Sequence, residues 1–384
     1  MWIDHMSRTV YVGGESGDVT SLALPNATPT VRQVVRTRDG SAVKCLLVID
    51  LLDVNGSSGL AVGSAQGTVG YYHGNGRTAV CEHELPFAVA ALAHHRTANG
   101  APTVAASDIG GTVLVFGLLE PLWRLRLQDV PTLASRVRHP AAAALLSLRT
   151  CDEAGVRRRR LLLAGGGQVL LQVGSDGSAV SVHDAPTSVT ALATDDVAQD
   201  GGGCDGATPC RATVGDATAA NDPAPVEGSV PLRLLKRQRL DSAVDLAVED
   251  PCRPDGSEEA DLGSLVLLAC SDGTVRNFPD MSCASNIGVH VTSLDARQWR
   301  TRGLLVCCGR FDGVIVAMRA GGVAQHVHTS SGWALGACIL TSTARDDDDG
   351  HLQLCTVVAE QLEPPEFAVE KPAVMLTPLL VHGI

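Results

Sequence analysis

The loop Asp53-Val54-Asn55-Gly56-Ser57-Ser58-Gly59 offers Asp53 and Asn55 as oxygen donors, the ligand type a hard cation such as calcium takes in exchange for water. Calcium needs several such donors, roughly three or more from acidic or amide side chains. Here Ser57 stands where a further acid belongs, and no acid precedes the apolar run from Leu60, so the loop reads as a metal-free turn. Cys204 and Cys210 lack a His or a second Cys pair nearby, which argues against structural zinc. His94-His95, and His326 with His328, read as outer-strand or loop residues rather than metal ligands. Two basic clusters stand out: Arg157 to Arg160, directly before Leu161, and Arg233, Lys236, Arg237 and Arg239. Each could serve an acidic partner, a phosphoinositide or nuclear import, but a solvated loop explains them more simply. No Gly-x-Ser-x-Gly elbow, Walker loop or His-Glu-x-x-His run occurs, and the Gly run at Gly165 reads as a hairpin turn rather than a phosphate cradle. The sequence therefore nominates no catalytic, cofactor-binding or metal-binding residue.

The elements around these residues repeat. Leu60-Ala61-Val62-Gly63-Ser64-Ala65-Gln66-Gly67-Thr68-Val69 is an apolar strand, a tight turn ending in Gly and a Val-centred strand. Leu267 to Phe278 is a second copy, in which Asp272-Gly273 reads as a two-residue hairpin turn with positive φ. The turn glycines are Gly17, Gly67, Gly111, Gly167, Gly273 and Gly313, and the wide gap after Gly167 calls for a missing or degenerate copy. The strands before these glycines are continuous apolar runs and should be buried on both faces; those after them, such as Thr112 to Phe116 and Val314 to Met318, alternate more visibly.

A further strand precedes each hairpin, often written Val-x-x-Leu, as in Val43 with Leu46, Val89 with Leu92, Val189 with Leu192 and Val291 with Leu294. Looser copies end at Leu148, Leu246 and Leu335, which makes seven. Small residues such as Ala88, Ala90, Ala91 and Ala93 suit an innermost strand crowded around an axis. Outer strands are expected at Thr78 to Glu84, Leu122 to Leu127, Ser178 to His183 and Val323 to His328. Repeats of about 40 to 55 residues predict an all-β chain, a β-propeller of seven four-stranded blades filling 1–384. An eighth blade stays open, because the N-terminus opens on a hairpin and Leu352 to Ala359 supplies an extra strand.

Net charge is −12 and hydrophobic residues make up 45%, with aromatics only 3%. Nucleic acid is excluded as the main partner by this acidity, and the core must be packed mainly by Val, Leu and Ala. No signal peptide and no uncharged apolar run long enough to span a membrane are visible. The twelve Cys show no framework spacing, and Cys45, Cys270, Cys307, Cys308 and Cys355 fall inside expected strands, as reduced core residues of a cytosolic protein do. Residues 196–230 read as a disordered insertion, 249–263 as a polar surface loop, and the acidic run Asp346 to Asp349 as another loop.

The Asp53 to Gly59 loop followed by Leu60 to Gly63 resembles the loop of integrin-type FG-GAP repeats. Val48-Ile49-Asp50 through Gly67-Thr68-Val69-Gly70, Leu265 through Phe278, Val291 to Asp295 and Cys307 to Val316 are together similar in order and spacing to the integrin-alpha FG-GAP repeat-containing protein 2 family, as is the position of the long insertion. That resemblance implies a KICSTOR-type propeller subunit, without working calcium loops, that helps recruit GATOR1 to the lysosomal surface in amino-acid control of mTORC1. It carries over no site residue. The expectation is a non-enzymatic, cytoplasmic scaffold whose partners are other protein subunits, peripheral at the lysosome, with no cofactor and no small-molecule substrate. The alternatives are a Bardet-Biedl or intraflagellar-type propeller subunit, and a propeller hydrolase or lyase with an axial acidic site, whose residues would come from several blades and leave no local motif.

Overall fold

Apolar runs of four to nine residues cut by Gly turns are too short for core helices and fold instead as antiparallel strands. The computed structural model describes residues 2–4, 9–23, 31–49, 51, 59–73, 78–118, 120–137, 142–151, 157–164, 167–194, 266–299, 303–319, 325–329, 333–341, 353–361 and 374–382. The first sheet holds β1 (Trp2–Asp4), β2 (Thr9–Gly13), β3 (Asp18–Ala23) and β4 (Val31–Arg36), and the second β5 (Val43–Ile49), β6 (Gly59–Ser64), β7 (Thr68–His73) and β8 (Cys81–Glu84). The third holds β9 (Val89–Arg96), β10 (Pro102–Asp108), β11 (Thr112–Phe116) and β12 (Pro121–Arg126). After a short helix, α1 (Pro131–Ala134), the fourth follows with β13 (Ala144–Cys151), β14 (Arg157–Ala164), β15 (Val169–Gly174) and β16 (Ala179–Asp184). The fifth holds β17 (Val189–Thr194), β18 (Val266–Cys270), β19 (Thr274–Phe278) and β20 (Cys283–Asn286). The sixth holds β21 (Val291–Trp299), β22 (Gly303–Arg310), β23 (Val314–Arg319) and β24 (Gln325–Thr329). The seventh has β25 (Trp333–Thr341), β26 (Gln353–Gln361) and β27 (Val374–His382). The described residues belong to one unit, Met1–Gly201 with Leu262–Ile384.

Each sheet is a four-stranded meander, β25 to β27 being the three-stranded case, and the first strands of neighbouring sheets, from β5 to β25, touch in succession. The cores lie between sheets. Leu47, Ala61 and Tyr71 of the second sheet pack on Val104, Leu114 and Phe116 of the third, while Val113 and Val115 on its other side meet Leu161, Leu163 and Leu171 of the fourth. Leu162 and Leu170 then meet Val266 and Leu268 of the fifth, whose Leu267 and Val275 meet Val306 and Cys308 of the sixth. A sheet covered on both faces explains why β6 and β18 are buried throughout. It also corrects one expectation, since β11 is wholly buried and four residues of β23 are, with no exposed alternation. Tyr71 illustrates the fit: its hydroxyl accepts a hydrogen bond from Leu51 N (3.2 Å), and its ring fills the space a side chain on Gly59 would need.

The Val-x-x-Leu signature has a structural cause. Val43 pairs with Ser64 and Leu46 with Val62, so the two side chains share a face although three residues apart, because a β-bulge at Lys44 absorbs one residue. The same shift occurs at Ala90, Thr190 and Thr292. Thr190 puts its displaced hydroxyl to use, donating to the Val291 carbonyl (2.7 Å) of the next sheet. Two looser copies are re-phased by the register. Leu146, not Leu148, pairs with Leu162 at the equivalent place, and Leu335 occupies the bulge itself.

Leu246 lies outside the described residues, and the strand beside β18 is β17, with Thr194 opposite Val266. Residues 195–265, which link the first two strands of the fifth sheet and span most of the gap after Gly167, lie outside the described residues, as do the 196–230 and 249–263 segments, Cys204, Cys210, Arg233, Lys236, Arg237 and Arg239. The count of seven is restored at the other end by β1, absent from the sequence expectation. The strand expected at Leu352 to Ala359 is no extra one but β26, the second of the seventh sheet. Outer strands fall where expected, as β8, β12, β16 and β24.

Candidate interaction surface

One end of every sheet carries the turn between its second and third strands. The Asp272-Gly273 turn is not the two-residue type, because Asp272 keeps a negative φ. Three residues separate β18 from β19, Gly273 N donates to Cys270 O (3.1 Å) and only Gly273 is left-handed (φ 83°). This is a turn closed by a Gly bulge, the usual three-residue hairpin. Gly17, Gly67, Gly111 and Gly313 repeat it.

Two further backbone bonds dock neighbouring segments on the turn. The residue leaving the outer strand donates to the turn: Thr37 N to Gly17 O, Leu85 N to Gly67 O, Leu127 N to Gly111 O, Ala185 N to Gln168 O and Ile287 N to Gly273 O, all 2.8 to 2.9 Å. The first turn residue donates to the connector ahead of the inner strand, as Ala65 N to Ala42 O, Ile109 N to Ala88 O, Ser271 N to Ser188 O and Phe311 N to His290 O. The bond comes from the backbone, so the side chains of these first turn residues can differ, and that of Phe311 meets the His290 ring (6.1 Å between centroids). Two are large and apolar: Ile109 is 61% exposed and Phe311 52%. Beside Ile109 stands Phe87, 55% exposed, its ring laid over Gly110 and its N–H donating to Asp108 Oδ2 (3.3 Å). Asp108 is fully buried and also accepts from Thr112 N (2.7 Å), which fixes the platform under both apolar groups.

Two open grooves of about 610 Å³ occupy equivalent places at this end, between a turn, an outer-strand exit and a connector. In the fourth sheet Arg136 and Asp184 form an ion pair (2.8 Å) in the groove. In the second, Asp39 and Glu84 line it; burial raises the Asp39 pKa, but hydrogen bonds from Ser41 and Thr37 outweigh this and hold it below the usual range. Both are polar and shallow, suited to surface contacts.

The sequence candidates scatter. Asp53, Asn55 and Ser57 lie outside the described residues. Arg157 to Arg160 are not a turn before a strand but the first half of β14, and Arg160 donates to Gln172 Oε1 (3.1 Å). His94 and His95 are on an inner strand, β9, rather than an outer strand or loop, while His326 and His328 are on the outer β24. His95 is fully buried, its Nδ1 3.1 Å from Ser147 Oγ and its Nε2 without a hydrogen-bond partner. Burial, with Arg159 and His94 adding repulsion, pushes its pKa down to about 4, so it is neutral. Lacking an acid to orient it, this pair is a core contact, not a nucleophile and base. Cys270, Cys307 and Cys308 are free thiols in the core, and burial raises Cys308 to about 12, which makes it inert. Among the described residues no three metal-ligating side chains gather, and no helix is long and apolar enough to cross a membrane. Phe87, Ile109 and Phe311 were missed; an apolar residue at a turn position where Ala and Ser suffice was the available signal.

No protein-family model matches the chain, and no curated protein sequence does. Solved structures do. The chain is similar to Sqt1 of Saccharomyces cerevisiae (TM-score 0.56, 9% identity, 92% of this chain and 78% of that one) and to the WD40 propeller domain of Doa1 (0.54, 8%, 92% and 86%). It is also similar to BBS1N, solved in complex with ARL6DN (0.51, 12%, 83% and 76%). At such identities the likeness is one of fold, and with the seven sheets it makes this chain a β-propeller.

Proposed function

We propose that this propeller is a non-enzymatic interaction subunit of a multiprotein complex, binding protein through the turn end of its blades. The observation that carries this is the exposure of Phe87 and Ile109, side by side on a platform held rigid by Asp108, at positions where the fold itself demands no bulk. Similarity to BBS1N, solved with ARL6DN bound, is consistent with such use of the fold. The finer reading is a KICSTOR-like subunit that helps bring GATOR1 to the lysosomal surface, cytoplasmic and membrane-associated only through its partners. It rests on the FG-GAP-like residues Val48 to Gly70 and Leu265 to Phe278. The test is affinity capture of the tagged chain followed by mass spectrometry, alongside the double variant Phe87→Asp, Ile109→Asp. A stable set of subunits that the variant loses supports the interaction reading, and KICSTOR and GATOR1 components among them support the finer one. A monomeric wild-type chain with no stable partner would overturn both.

A further inference from the structure

The two equivalent grooves at the turn end differ in how their acids are balanced. In the fourth sheet Asp184 is already held by Arg136 at 2.8 Å. In the second sheet Asp39 and Glu84 line the groove, and among the described residues neither carboxylate has an ion-pair partner. The neighbouring guanidinium groups are engaged elsewhere, Arg38 with Glu82 (3.5 Å) and Arg124 with the main-chain carbonyl of Glu84 (2.7 Å). Ser41 N donates to Asp39 Oδ1 (3.1 Å) and fixes that carboxylate in place. Among the described residues no third ligand gathers with these two, and two are too few to hold a metal ion.

This acidic groove adjoins the apolar pair. Gln66 and Thr68, on either side of Gly67, line it together with Glu84 and Leu85, and a side chain on Gly67 would strike both the Leu85 and the Phe87 carbonyls. Residues 84–87 therefore lead from the groove to the Phe87 ring, which lies over Gly110 next to the exposed Ile109. Bulk apolar surface and uncompensated negative charge thus meet at one turn.

We propose that the occupant of this surface is a segment of a partner protein that carries Arg or Lys within a few residues of a bulky apolar side chain. The apolar group packs on Phe87 and Ile109, and the cation enters the groove and pairs with Asp39 and Glu84. Burial of the apolar group supplies affinity, and the charge contact chooses among partners. A segment with an acid at that place is repelled, as is the phosphate backbone of a nucleic acid.

This occupant rests on the reading of Phe87 and Ile109 as a protein-binding surface. The test is selection of a random peptide library, displayed on phage, against the full chain. The expected peptides are enriched in Arg or Lys close to Leu, Ile, Phe or Trp. Selection on Asp39→Asn, Glu84→Gln should lose the basic preference and keep the apolar one. In fluorescence anisotropy a labelled peptide selected by wild type should bind that variant about tenfold more weakly, and bind Asp184→Asn unchanged. Glu84→Lys should weaken it at least as much with no change in melting temperature, because the Glu84 side chain is exposed and makes no bond among the described residues. Peptides in which Arg and Lys are no commoner than in the library, the same basic preference on Asp39→Asn, Glu84→Gln, or no selected peptide at all would each overturn the proposal. Apolar peptides without the basic preference, lost on Phe87→Asp, Ile109→Asp, would overturn it while leaving the binding surface itself standing.

Discussion

The two ends of the sheets are built on different terms. At the turn end, Gly67, Gly111 and Gly273 close the same hairpin and receive the same bond from the outer-strand exit. At the other end the described connections differ: residues 97–101 join β9 to β10, whereas 195–265 join β17 to β18. A propeller needs its blades spaced at one end only. Once backbone geometry does that, the opposite hairpins can lengthen or change charge without disturbing the spacing.

Breaking the common turn should cost most. Gly67 has φ 91° and its missing side chain would strike the Leu85 carbonyl, so Gly67→Val should lower stability by about 3 kcal/mol or more, read from urea unfolding. At the irregular end, His95 tests the contact it makes with Ser147 of the next sheet. Its folded pKa, about 4, lies below its usual 6.5, so the unfolded chain takes up the proton first as pH falls. Stability should drop between pH 6.5 and 4, by at most about 3 kcal/mol, and level off below that. Urea midpoints across that range should lose part of this slope in His95→Gln.

Smaller effects sharpen the contrast within the turn end. Asp108→Ala removes the acceptor for Thr112 N and Phe87 N and should cost about 2 kcal/mol. Ser64→Ala, at the same place in the second sheet where Oγ accepts from Gln66 N and Thr68 N, should cost about 1 kcal/mol. Phe311→Ala should cost no more than about 1 kcal/mol, since its ring is 52% exposed and meets His290 of the adjoining connector at 6.1 Å between centroids. A larger loss would mean that the turn end is held by side chains after all.

The architecture was legible where local chemistry repeats. Turn glycines and Val-x-x-Leu strands are short-range signals, and both lie where the sequence places them. What went astray depends on distant partners. Val189 and Cys270 pair across 81 positions, which no spacing rule reveals, so Leu246 was counted as a copy of its own beside Leu192 of β17. The turn type was misread because Asp-Gly suits two hairpins, and the register that selects one is set by β18 and β19 together. Of the candidate surface little was visible. Phe87 and Ile109 look like core residues until the fold shows that their positions face outward. The run Arg157 to Arg160 looks like a loop because four adjacent charges rarely enter a strand.

The seven sheets are near copies in backbone, which invites a hairpin to settle against the wrong neighbour while the chain is still folding. Tyr71 against Gly59 works against that hazard: a ring facing a bare backbone gives the second hairpin a shape that β10 or β18 cannot imitate, since both carry side chains along their whole length. The pair labels one module among look-alikes, and exchanging the two residues for an average pair would leave the final structure intact while letting more chains assemble out of order.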